Sequence, residues 1–176
     1  VYDTLLNRPQ WRKKLLPLLR LFHHSVPELA ERTLEAVLSG DSEEEISLVL
    51  SYAIERHPDV AEQQAEIVRF AQHRFQTVRA TMAEWSVTNR ALMEFAVRSV
   101  LAAGNIDSRV CQGLLRGLSH LAYSGGVATD LAQAFLEQTA HLPLHDLNVS
   151  GSELNKIVGP LARSKPRWLM LHLEQR

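Results

Sequence analysis

The sequence has very little cysteine and no long apolar run. Cys111 is the single cysteine, so the chain cannot form an internal disulfide. This favours the cytoplasm or another reducing compartment. The longest stretch without a charged residue, 117–129, is too short to cross a bilayer. The basic residues near the N-terminus are not followed by the unbroken apolar core of a signal peptide. We therefore expect a protein without a transmembrane segment.

Motifs for metal, cofactor or nucleophilic chemistry are also missing. The chain has no His-Glu-x-x-His, and the Gly-rich segment 124–126 lacks the lysine of a phosphate-binding loop. His141 and His145 are four residues apart, but Pro143 interrupts the helix that would align their rings. His120 lies about 13 Å along a helix from Cys111, too far for a catalytic pair. We expect no metal, no cofactor and no catalytic residue. An enzyme with a site assembled from distant residues is an alternative.

No segment shows the alternating pattern of a β-strand over a comparable length, and apolar residues instead recur every three or four positions. Three Ser-x-x-Glu signals, typical of helix N-termini, precede such patterns at Ser25, Ser42 and Ser150. The sequence therefore predicts an all-α protein.

Eight predicted helix starts are separated mostly by short connections; they lie near residues 9, 27, 43, 59, 88, 108, 127 and 151. Short connections make neighbouring helices antiparallel. We expect eight to ten short helices over residues 1–176, forming one domain. Two architectures fit: a HEAT- or armadillo-like α-solenoid of stacked hairpins, and a globular multi-helix bundle. Because the chain begins with Val1, we expect a fragment of a longer protein or a processed form.

Several boundaries are predicted in more detail. Pro17 predicts a kink or two short helices, and Gly159-Pro160 predicts the end or a bend of a helix. No glycine or proline lies between Asp59 and Trp85, so this range predicts one long helix. The expected N-caps of the two following helices are Ser86 or Thr88, and then Asp107.

The net charge of −1 is unevenly distributed. Residues 1–24 carry five basic and one acidic side chain, whereas residues 25–63 carry ten acidic and two basic ones. We expect the basic N-terminal segment to pack against the acidic second and third predicted helices. Its alternative role is to bind a partner through its basic and apolar faces.

Arginine outnumbers lysine, and six arginines recur at helical spacing on predicted exposed faces: Arg69, Arg79, Arg90, Arg98, Arg109 and Arg116. Merged into one basic ridge, they would form a partner-binding surface. The sequence thus predicts a protein–protein interaction module, such as an adaptor, scaffold or regulatory domain. Nucleic-acid binding along the same arginines is the alternative, and the near-zero net charge argues against it. The simplest interpretation is that these arginines form an ordinary solvated surface and pair with glutamates of their own helices.

Overall fold

The computed structural model describes residues 8–143 and 150–174, and every described element is helical. This confirms the predicted all-α class. The helices are α1 Pro9–Leu15, α2 Leu19–Ser25, α3 Pro27–Leu38, α4 Glu43–Glu55, α5 Val60–Ala71, α6 Gln76–Glu84, α7 Arg90–Ala103, α8 Ser108–Tyr123, α9 Thr129–Gln138, α10 Gly151–Ser164 and α11 Pro166–Glu174. None of these described helices is both long and apolar enough to cross a membrane.

The chain forms two compact units, and the division falls within α5, between Glu66 and Ile67. In the first unit α2 packs on α3, and α4 packs on both α3 and the short 3-10 turn Leu16–Leu18 that joins α1 to α2. Leu19, Ile46 and Ile54 are among its fully buried side chains. The prediction of a single domain stays a prediction.

Ion pairs hold the basic N-terminal segment on α4. Arg12 donates to the buried Glu45 at 2.7 Å, Lys13 pairs with Glu44, and Arg20 pairs with Glu55. This confirms the predicted packing of the basic segment against acidic helices. Only Glu45 is desolvated, so the exposed pairs contribute little on their own, about 0–1 kcal/mol each.

In the second unit, alternate helices are neighbours, as in a stack of helical hairpins. α8 packs on α6 and on α10, while α9 packs on α7. Two side-chain links between α6 and α8, Thr77 to Arg109 and Glu84 to Arg116, both join residues 32 positions apart. Because the separation in sequence is the same at both links, α6 and α8 run parallel. Arg98 of α7 and Asp130 of α9 are also 32 positions apart.

Two glycines bring the α6 and α8 backbones together. A Cβ on Gly113 would lie 2.4 Å from the Ala80 carbonyl oxygen, and a Cβ on Gly117 would lie 2.0 Å from that of Ala83. These distances are far below van der Waals contact, so no larger residue fits without a backbone shift. The four-residue spacing places both glycines on one face of α8.

Helix N-termini follow the predicted caps in part. Ser150 forms a complete capping box with Glu153, Ser42 accepts from the Glu45 N–H, and Asp107 caps α8 as predicted. The prediction for Ser25 is wrong: it is the last residue of α2, and Val26 precedes α3 without a side-chain cap. The cap of α7 is Asn89 rather than Ser86 or Thr88.

The interruptions of the helices agree with the sequence prediction at one place and differ from it at others. Pro17 lies in the 3-10 turn between α1 and α2, as expected for a break at proline. The long helix predicted over 59–85 is wrong, because α5 ends at Ala71 and α6 begins at Gln76. Gly159-Pro160 does not end the helix, since α10 continues through Pro160 to Ser164, and the alternative of a bend at this point stays a prediction.

Candidate interaction surface

The surface begins on α8, where two arginines lie seven residues apart on one face. Arg116 donates to the Glu84 carboxylate at 2.7 Å while two thirds of its side chain stays exposed. Arg109 donates to the Thr77 hydroxyl. Two helical turns separate the arginines by about 10.5 Å. Both therefore keep hydrogen-bond donors available to solvent beside their contacts with α6.

Tyr123 continues the same seven-residue spacing and extends the surface to α10. It is 69% exposed, although tyrosine is typically intermediate in burial. The Lys156 ammonium lies over its ring, 3.8 Å from the centroid, which is a cation–π contact. This contact links the arginine face of α8 to the lysine face of α10.

A cavity of about 340 Å³ adjoins this contact. Lys156 and Arg163, again seven residues apart, line it together with Ala122, Asn155 and Gly159. Both cations are exposed. We call the four cations Arg109, Arg116, Lys156 and Arg163, together with Tyr123, the basic row.

Among the described residues, the carboxylates of Glu84 and Glu153 lie beside the basic row, and both accept hydrogen bonds within the protein. Glu84 pairs with Arg116. Glu153 accepts from the Ser150 hydroxyl at 2.8 Å and from its backbone N–H at 3.2 Å. These hydrogen bonds, with a smaller contribution from Lys156, lower the pKa of Glu153 below its ordinary value. Glu153 is therefore ionised beside Lys156 and offsets part of that charge, and among the described contacts neither carboxylate pairs with Arg109 or Arg163.

The structure divides the six predicted arginines. Arg109 and Arg116 belong to the basic row. Arg90 and Arg98 of α7 instead contact the α9 side: Arg90 donates to the Gly126 carbonyl at 2.5 Å, and Arg98 to Asp130 at 2.8 Å. The hydrogen bonds that Arg98 donates to Asp130 and Glu94 raise its pKa. Arg69 is exposed on α5.

The expectation that Arg79 is exposed is wrong. Its side chain is 4% exposed and donates to the carbonyl oxygens of Ala71 at 2.9 Å, Asn105 at 2.9 Å and Gly104. Burial lowers the pKa of Arg79, and the Asp107 carboxylate opposes this effect. Arg79 thus joins the end of α5 to the turn between α7 and α8.

A second polar cavity, of about 280 Å³, lies beside Arg79, with His73 and Arg74 in its lining. His73 Nδ1 accepts from the Phe75 N–H at 3.2 Å. Burial is the main cause that lowers the pKa of His73, and Arg74 and Arg69 act in the same direction. The neutral imidazole is therefore the form that this site favours.

Tyr123, Lys156 and Arg163 were not among the surface residues predicted from the sequence. The available signal was the seven-residue spacing, which places Tyr123 in line with Arg109 and Arg116, and Arg163 in line with Lys156. What the sequence could not show is that α10 lies beside α8, because the connection between them does not determine that packing.

Two of the side chains considered for nucleophilic or metal chemistry lie on or beside α8. Cys111 is buried in α8, and His141 Nε2 hydrogen-bonds to the Ile106 carbonyl at 2.8 Å. His145, the other member of the predicted pair, lies outside the described residues. Over residues 8–143 and 150–174, no group of three or more His, Cys, Asp or Glu side chains could hold a metal ion.

Comparison with known proteins gives no further information: no family model, curated protein or solved structure matches the chain.

Proposed function

We propose that this chain is a protein-interaction module that binds an acidic segment of a partner protein along the basic row. One observation carries the proposal. Four exposed cations and an exposed tyrosine lie along the adjoining helices α8 and α10, joined by the Tyr123–Lys156 contact.

The residue types suit carboxylate recognition. Arginine presents a planar set of donors that matches a carboxylate in a bidentate manner, and Tyr and Arg are enriched among the residues that dominate interface energies. The seven-residue spacing, about 10.5 Å along a helix, matches about three residues of an extended peptide at ~3.3 Å each. Exposed charges of this kind contribute mainly to association rate and partner choice.

An acidic peptide fits the row better than a nucleic acid does. Glu84 and Glu153 lie close to the cations, where they would repel a continuous phosphate backbone. A peptide can place its carboxylates opposite the cations and other residues opposite Glu84. The net charge of −1 also gives none of the basic excess that phosphate neutralisation needs.

The test is selection from a displayed peptide library on the full chain. We expect Asp- and Glu-rich peptides to be enriched. Their affinity should fall about tenfold or more in the variants Arg109→Glu/Arg116→Glu and Lys156→Glu/Arg163→Glu, because each variant replaces two attractive charges by repulsive ones. Fluorescence anisotropy of one selected peptide measures the loss.

The matched control reverses two exposed charges of the first unit, Arg8→Glu/Arg32→Glu, and should leave the affinity nearly unchanged. Circular dichroism checks that every variant remains helical. Equal peptide binding by the control and the row variants would contradict the proposal. So would tighter binding of single-stranded DNA whose affinity falls steeply between about 50 and 200 mM salt, the behaviour of a phosphate-binding surface.

A further inference from the structure

The last described helix, α11, has an apolar face without a neighbour in the described structure. Met170 and Leu171 are 59% and 60% exposed. They line a shallow groove of about 400 Å³, with Pro166 and Arg167 at one end and Glu174 at the other. Exposed apolar side chains that adjoin one another and are bounded by charges commonly mark an interaction site.

The opposite face of α11 is docked. Leu169 is buried, and His172 Nε2 hydrogen-bonds to the Leu136 carbonyl of α9 at 3.1 Å. Trp168 stacks on His172 with their ring centroids 4.9 Å apart. The orientation of α11 is therefore set by these contacts, and Met170 and Leu171 are directed away from them by helical geometry.

We propose that this face of α11 binds the same face of a second copy of the chain, with the two helices antiparallel. A twofold axis passing between Met170 and Leu171 brings Met170 of each copy next to Leu171 of the other. The same axis places Arg167 of each copy opposite Glu174 of the other, because both residues lie three and a half positions from the axis.

The charges of Arg167 and Glu174 favour a second copy of the chain over an unrelated apolar partner. Arg167 and Glu174 are about 10.5 Å apart along their own helix, too far to pair within one chain. In the described part of the chain, neither has a salt-bridge partner. In the antiparallel pair, each finds the opposite charge at the edge of an apolar centre. A twofold interface requires this self-complementary pattern.

The interface is small, so the dimer is weak. A nine-residue helix is about 13.5 Å long, and its pairing buries less area than the roughly 1,000 Å² expected of a stable interface. We expect a concentration-dependent equilibrium between monomer and dimer in the micromolar to millimolar range.

Sedimentation velocity of the full chain over that concentration range tests the proposal. The wild type should dimerise, and Met170→Lys should abolish dimerisation because each dimer then contains two charges in its apolar centre. Arg167→Glu should weaken the dimer about tenfold, since each dimer loses two ion pairs and gains two repulsive contacts.

The decisive variant is Arg167→Glu/Glu174→Arg, which exchanges the two charges. In the antiparallel arrangement every pair is again opposite in sign, so the double variant should dimerise as the wild type does. Restoration of this kind is specific to the proposed register.

Val60→Lys and Arg32→Glu, at exposed positions of the first unit, are the matched controls and should leave dimerisation unchanged. A wild type that is monomeric at all concentrations overturns the proposal, whether or not another protein binds the groove. A dimer that is indifferent to the α11 variants, or a double variant that fails to restore dimerisation, overturns it as well.

Discussion

Arg79 shows how one residue can hold a turn together. The guanidinium reaches the carbonyl of Ala71 at the end of α5 and those of Gly104 and Asn105 after α7. Both of these last residues have positive φ, 64° and 48°, so their carbonyls lie in a turn that helical hydrogen bonds cannot complete. Arg79 supplies the missing donors.

We predict that Arg79→Ala lowers the free energy of unfolding by about 2–4 kcal/mol, because it removes hydrogen bonds from a charged donor and leaves buried carbonyls without partners. Urea denaturation measures the loss. Arg109→Ala, at an exposed position, should change stability by no more than about 0.5 kcal/mol. Similar small losses for both variants would show that Arg79 has no structural role.

His73 gives the second unit a pH dependence. Its pKa is lowered in the folded chain by burial and by Arg74 and Arg69, so between this pKa and the ordinary value near 6.5 the unfolded chain binds more protons. Stability should therefore rise with pH through that window and fall on acidification. Protonation of Nδ1 would also remove the acceptor for the Phe75 N–H.

His73→Asn is the matched variant for this prediction. Its side-chain oxygen can accept from the N–H two residues ahead, as in an Asx turn, but it does not titrate. We expect the stability of the variant to change less than that of the wild type between about pH 7.5 and pH 5, measured by urea denaturation. Parallel pH profiles for the two proteins would contradict the assignment. The other histidines are present in both proteins, so their contributions to the pH dependence of stability cancel in the comparison.

At the scale of the helix, Gly113 and Gly117 determine the packing of α6 on α8. Alanine normally stabilises a helix interior by about 1 kcal/mol relative to glycine. Here the added Cβ would meet a backbone carbonyl at 2.4 or 2.0 Å, and the backbone cannot move aside as a side chain can. We predict that Gly113→Ala or Gly117→Ala destabilises the chain by about 1–3 kcal/mol in thermal or urea unfolding.

Gly151→Ala is the control for these substitutions, since Gly151 begins α10 and has open space around its Cβ position. We expect it to be neutral or slightly stabilising. Equal effects at the three positions would mean that helix propensity, rather than the approach of α6 to α8, decides the outcome.

The existence and starts of most helices could be predicted from apolar spacing and N-terminal signals. Observed starts at Pro9, Pro27, Glu43, Ser108 and Gly151 agree with the predicted ones. The break at residues 72–75 could not be predicted, because it contains neither glycine nor proline. It is held by tertiary contacts, including the hydrogen bond from Arg79 to Ala71, which no local pattern reveals.

Ser25 and Pro160 show the opposite error, in which local signals are overridden. Ser25 has the sequence of a cap but lies in α2, since Pro27 is the residue that begins α3. Pro160 lies inside α10, at the cost of one helical hydrogen bond. Ile157 and Leu161, on either side of Pro160, are fully buried. Burial of such side chains contributes about 1.5–3 kcal/mol each, which is enough to offset this loss.

At the scale of the whole chain, the candidate surface was predictable only within single helices. The spacing of Arg109 and Arg116 predicted a shared face, and both lie in the basic row. Lys156 and Arg163 join them only because α10 packs on α8. The sequence predicted an exposed Arg79, which is wrong because its side chain contacts carbonyls of two separate turns. Patterns along a helix are thus visible in a sequence, whereas the neighbours of that helix are not.

The glycine contact between α6 and α8 has a consequence for specificity. Two parallel helices with ordinary side chains can often slide by a turn and still bury apolar surface. Here the two backbones interlock only where Gly113 faces Ala80 and Gly117 faces Ala83. Sliding α8 by one turn would bring Arg109 or Leu121 into the position of one glycine, and its side chain would then meet an α6 carbonyl. The alignment of this helix pair is therefore selected by steric exclusion, independently of the charged links at its surface.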